Sequence, residues 1–127
     1  MTPFRGRVAL TQWRAKTLMP NLLFICSQNR LRSPTAEQVF ADWPDVETAS
    51  AGINHGADNP VTPELLAWAD IIFVMESIHR AKLSAKFKLY LVKQRVICLG
   101  IPDEYAFMDP DLIRLLKAKV PCHLPAR

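Results

Sequence analysis

One stretch of this chain combines residue types and spacing suited to chemistry: Cys26-Ser27-Gln28-Asn29-Arg30-Leu31-Arg32-Ser33-Pro34. A thiolate is a nucleophile, and a guanidinium is a planar fork of donors that matches two oxygens of an oxyanion. A polar loop that runs straight into a helix turns backbone N–H groups toward an anion, and the helix N-terminus adds a favourable field. The same field favours the thiolate form of Cys26, and a hydroxyl at Ser33 can donate to the sulfur. Arg32 is the expected anion clamp. Asn29 is expected to shape the turn, because asparagine tolerates left-handed backbone and hydrogen-bonds locally. Arg30 is expected at the rim as an attracting charge, and Ser27, Gln28 and Leu31 complete the anion-binding loop.

Attack on a phosphate ester also needs a proton donor for the departing oxygen. The segment Ile101-Pro102-Asp103-Glu104-Tyr105 offers one. Asp103 is the expected acid, with Glu104 and Asp109 as alternatives and Asp109 discounted because it is needed as a helix cap. Tyr105 is expected to stack against an aromatic leaving group. This chemistry requires neither histidine nor metal, so His55 and His79 are expected on the surface. Cys98 is expected in the core and Cys122 as a tail thiol. No metal or cofactor is anticipated, since Cys122 and His123 alone are a weak ligand pair.

The elements that position these residues follow from apolar patterning. Leu22-Leu23-Phe24-Ile25-Cys26 is apolar without alternation, as in a parallel strand covered on both faces. Ser33 is expected to cap a helix with Pro34 at its first position, followed by Ala36, Val39, Phe40 and Trp43 at helical spacing. A second strand is expected over Val46–Ser50, closed by Gly52, and a short helix from Thr62-Pro63-Glu64 through Trp68. Ile71–Met75 forms another apolar strand. Residues Ser77 to Lys88 are helical, with Ile78, Ala81, Leu83 and Phe87 available for packing. Val96–Leu99 is the last strand, and Asp109-Pro110-Asp111 opens a helix with Leu112, Ile113, Leu115 and Leu116 on its apolar side. Strands alternating with helices predict an α/β three-layer sandwich: a four-stranded, mostly parallel sheet with helices on both faces. Ligands bind such sheets at the carboxyl ends of the strands, where the loops after Cys26 and Leu99 emerge.

A chain of 127 residues, half of them hydrophobic, holds one core. The division expected is a basic N-terminal extension over 1–20, with Arg5, Arg7, Arg14 and Lys16, and a catalytic domain over 21–127. The apolar runs are far shorter than the roughly 20 residues a membrane helix requires. Three cysteines at irregular spacing argue for free thiols and a cytoplasmic setting. The net charge of +4 attracts anionic ligands in general. Nucleic acid is not the expected partner, because no aromatic and basic stacking platform accompanies the charge.

Cys26 to Ser33 resembles the Cys-x5-Arg-Ser/Thr loop of the low-molecular-weight protein tyrosine phosphatases. Pro34-Thr35-Ala36-Glu37 is similar to the Pro-x-Ala-Glu that follows it in that family. Ser50-Ala51-Gly52, Asp70 to Glu76 and Asp103-Glu104-Tyr105 resemble the family's Ser-Ala-Gly, its strand before a Met-Asp turn, and its late Asp-Pro-Tyr segment. The resemblance covers about Asn21 to Leu116. It implies Cys26 as nucleophile, Arg32 as phosphate binder, Ser33 as thiolate stabiliser, Asn29 as loop organiser and Asp103 as general acid. Gln28 stands at a position usually glycine, Leu31 where cysteine is frequent, and Glu104 where proline follows the acid. The expected activity is hydrolysis of phosphate monoesters, on a phosphorylated protein or a small phosphoester. The alternatives are a phosphate- or phosphopeptide-binding module and a thiol-dependent arsenate reductase.

Overall fold

The structure is a computed structural model, and it describes residues 19–125. The expected basic extension over 1–20 falls almost entirely outside the described residues. Four strands, β1 (Asn21–Cys26), β2 (Glu47–Gly52), β3 (Ile71–Val74) and β4 (Arg95–Cys98), pair in the order β2-β1-β3-β4. Every pairing is parallel. The helices are α1 (Arg32–Ala41), α2 (Pro63–Trp68), α3 (Ser77–Phe87) and α4 (Pro110–Lys119).

The unbroken apolar run of β1 is explained by its central place, because alternate side chains enter two separate cores. Leu22, Phe24 and Cys26 join Phe73 and Met75 of the β3 segment, Ala36 and Phe40 of α1, and Leu112 and Leu116 of α4. Leu23 and Ile25 face the other way, onto Leu66 of α2 and Leu83 of α3. Phe24 stacks between Phe40 and Phe73, with ring centroids 5.8 and 5.2 Å away. The result is the three-layer sandwich expected from the sequence. Strand order reverses around β1, so its carboxyl end opens at the point where chain connections leave in opposite directions. That end carries Cys26.

Two expectations about helices change. The α1 helix begins at Arg32 with Leu31 as its cap residue, and no side chain caps it; Ser33 lies inside the first turn because its hydroxyl is engaged elsewhere. In α3 the inward stripe is His79, Leu83 and Phe87, at helical spacing, so Ile78 and Ala81 face outward and Ile78 is 53% exposed. Among the described residues, no helix is long and apolar enough to cross a membrane.

Candidate active site

The turn from β1 into α1 is held open from behind. The carbonyls of Cys26, Ser27 and Gln28 accept from the N–H groups of Ile53, Asn54 and Asp58 at 2.9, 3.0 and 3.0 Å. Tying carbonyls to the outer segment turns the peptide units so that their N–H groups face the loop interior. Gly52 makes this possible, because a Cβ there would lie 2.8 Å from the Ser27 carbonyl oxygen and 2.5 Å from the Ala57 Cβ. Asn29 takes φ of +60°, the left-handed conformation expected for it. Gln28 is not among the positive-φ residues, so glycine's freedom is not needed at that position.

Cys26 is buried at the floor, its Sγ 2.9 Å from the Ser33 Oγ. The Ser33 hydroxyl also lies 2.8 Å from Asn29 Oδ1. Arg32 is only 2% exposed. Its Nη1 donates to Glu76 Oε2 at 2.5 Å and to the Ile101 carbonyl at 2.7 Å, which fixes the plane of the guanidinium. A buried charge persists only with such partners. Asp103 Oδ1 stands 3.7 Å from Arg32 Nε, and its side chain is 62% exposed. Cys26, Asn29, Arg32, Ser33 and Asp103 therefore converge on one place.

The other expected residues sort differently. Arg30 is at the rim, paired with Asp58 at 3.1 Å, and Leu31 is exposed beside it. Glu104 is exposed. Asp109 caps α4 by accepting from the Asp111 N–H at 2.8 Å, as expected. Tyr105 packs half-buried against the core of Leu112 and Leu116 and lines a cleft with Asp111, Arg114 and Leu115. The cleft wall is where a tyrosine expected to stack against an aromatic leaving group would stand. Cys98 lies at the register of Val74 and Ile25, two strands from β1 and thus about 10 Å away. That separation exceeds disulfide reach. Cys122 is exposed at the far end of α4.

Three residues that sequence reasoning passed over support the site. His79, expected on the surface, is 1% exposed. Its Nδ1 accepts from the Glu76 N–H at 3.0 Å, so the ring proton sits on Nε2 and donates to Ser27 Oγ at 2.9 Å. Burial, and then the nearby Arg32 charge, lowers its pKa from 6.5. Glu76 and His79 form a reciprocal capping box, a pattern readable in the spacing Glu-x-x-His at a helix start. Thr35 is the third: its hydroxyl donates to the Leu31 carbonyl at 2.6 Å and accepts from the Met108 N–H at 2.9 Å, joining the loop to the segment that follows Asp103.

No protein-family model matches the sequence, and no curated protein matches it. Solved structures do. The tyrosine phosphatase Wzb of Escherichia coli K30, in complex with phosphate, is 24% identical with a TM-score of 0.62, covering 80% of this chain and 93% of that one. The YwlE arginine phosphatase of Geobacillus stearothermophilus is 20% identical with a TM-score of 0.63, over 77% and 88% of the two chains. A low-molecular-weight phosphotyrosine phosphatase of Vibrio cholerae is 19% identical with a TM-score of 0.59, over 77% and 88%. This chain has the low-molecular-weight phosphotyrosine phosphatase fold. In that fold its Cys26 loop occupies the turn between the first described strand and the helix that follows, the place the sequence resemblance implies.

Proposed function

We propose that this protein hydrolyses phosphate monoesters, phosphotyrosine among them, through a cysteinyl-phosphate intermediate. The observation that carries the reading is the joint placement of a buried thiol against Ser33 and a buried arginine, at the uncapped N-terminus of α1. α2, α3 and α4 each have a capping side chain, whereas α1 leaves its first N–H groups for a ligand. Glu76 and Ile101 occupy Nη1 of Arg32, so two phosphoryl oxygens would meet Nε and Nη2, the Nε edge being the one Asp103 Oδ1 now approaches at 3.7 Å. In the first step the Cys26 thiolate forms a bond to phosphorus as the ester P–O bond breaks, and the carboxyl proton of Asp103 passes to the departing oxygen. In the second, water attacks phosphorus, the Asp103 carboxylate takes its proton, and the thiolate leaves with phosphate as product. Charge on the equatorial oxygens is met by the loop N–H groups and Arg32 in both steps.

Turnover of para-nitrophenyl phosphate in the presence of a chelator tests the reading. Wild type is expected to turn over, and Cys26→Ser and Arg32→Lys to lose activity. Phosphate binding without turnover would support the binding-module alternative. Activity that survives Cys26→Ser would remove the proposed nucleophile.

A further inference from the structure

A second cleft adjoins the loop, lined by Gln28, by Ile53, Asn54 and His55 from the segment after β2, and by Lys82 and Lys86 of α3. The two lysines stand one helical turn apart, a like-charge arrangement that is mildly destabilising in isolation. Among the described residues no carboxylate pairs with either of them. The carboxylate of the adjoining segment, Asp58, is engaged by Arg30 at 3.1 Å. Lys82 Nζ is oriented by Asn54 Oδ1 at 2.7 Å, and the N–H of that same Asn54 holds the Ser27 carbonyl. The positive cleft is thereby tied to the residue next to Cys26. Lys82 also bears electrostatically on His79, whose ring is bonded to Ser27.

We infer that this cleft is an accessory anion subsite, which selects phosphomonoesters carrying a second acidic group, foremost phosphopeptides with Glu or Asp beside the phosphorylated residue. The inference rests on the phosphatase reading for the first group and adds the second. Both lysines are exposed, Lys82 held by Asn54 and Lys86 lying over the Phe87 ring, so each pair they form contributes modestly and is screened by salt. Two such pairs amount to about threefold to tenfold in affinity at low ionic strength.

The test uses two peptides containing a non-hydrolysable phosphonomethyl-phenylalanine, identical except for Glu or Gln at the flanking positions, with binding to the full chain followed by fluorescence anisotropy. The Glu peptide is expected to bind about threefold to tenfold more tightly than the Gln peptide at low salt, with the difference fading at high salt. In the double variant Lys82→Met, Lys86→Met the two peptides are expected to bind alike, each still binding through its phosphonate group. Equal binding of the two peptides to wild type, no binding of either, or a Glu preference that survives the double variant would overturn the subsite. Absence of para-nitrophenyl phosphate turnover in wild type would instead overturn the phosphatase reading, and the peptide comparison would still decide the subsite.

Discussion

Ser33 has one hydroxyl proton and three neighbours in reach of it, the Cys26 sulfur at 2.9 Å, Asn29 Oδ1 at 2.8 Å and, more distantly, the Ala51 carbonyl at 3.4 Å. When Cys26 is a thiol it donates to Ser33, and Ser33 donates to Asn29. When Cys26 is a thiolate the proton must turn to sulfur, and an amide donor from Asn29 completes the chain once its side chain rotates. Ser33→Ala removes that stabilisation and is expected to slow cysteine phosphorylation about tenfold to a hundredfold, as loss of one charge-assisted hydrogen bond requires. Stopped-flow measurement of the first product burst checks it. Asp103→Asn is expected to slow the same step by about 10²–10⁴-fold for a poor leaving group, and much less for a stable phenolate. Asp109→Asn should keep the wild-type leaving-group dependence, because Asp109 is spent on the α4 cap. Single-turnover rates across a series of aryl phosphates separate the two carboxylates. His79 gives a stability signature. Its folded pKa lies below 6.5, so the unfolded chain binds its proton first as pH falls. Its contribution is complete above 6.5 and is lost as pH falls through the folded value. Urea midpoints measured between pH about 7.5 and about 5 should therefore drop more steeply for wild type than for His79→Asn, which cannot titrate there.

The loop is shaped less by its own residues than by the elements that grip it. The segment after β2 holds its carbonyls, α3 holds Ser27 through His79, and α1 holds Leu31 through Thr35. Gly52→Ala would drive a Cβ into the Ala57 Cβ on one side and the Ser27 and Gln28 backbone on the other, none of them the end of a flexible side chain that could yield. A loss of about 1–3 kcal/mol in stability is expected, as for other overpacked sites, together with weakened phosphate binding. Thermal unfolding with and without phosphate measures both, and an unchanged phosphate-induced shift in melting temperature would contradict it. Thr35 links the loop to the segment after Asp103, at Met108, whose φ of +61° is held against the ordinary preference of a methionine. Thr35→Val keeps the shape and loses both hydrogen bonds. It is expected to lower kcat for poor leaving groups while leaving KM and activated esters nearly unchanged, with Thr35→Ser restoring the wild-type pattern.

Across the whole molecule, what was legible in the sequence is what is encoded locally. The apolar runs of β1 and β3 announce strands buried on both faces, and Cys26, Asn29, Arg32 and Ser33 lie close enough in the chain for their spacing to reveal a common site. Asp103 is also legible, through its place just after the last strand. The contacts that complete the site span far longer separations: 44 residues from Arg32 to Glu76, 52 from Ser27 to His79, and 73 from Thr35 to Met108. No periodicity carries such pairs, which exist only once the parallel sheet brings the carboxyl ends of its strands side by side. His79 is expected on the surface because the chemistry needs no histidine, yet helix phase decides its burial, and the stripe of His79, Leu83 and Phe87 competes with an equally plausible one through Ile78. Ser33 reads as a cap because capping is local, whereas its bond to Cys26 depends on the turn closing. Rapid acid quench during turnover of an aryl phosphate, followed by mass spectrometry of the intact chain and its peptides, tests most directly the proposed role of Cys26 as a nucleophile toward phosphorus. One phosphoryl group on Cys26, formed as fast as the first product is released and absent in Cys26→Ala, is the predicted result. Turnover at an undiminished rate in Cys26→Ala, with no phosphoryl group on the wild-type cysteine, would contradict it.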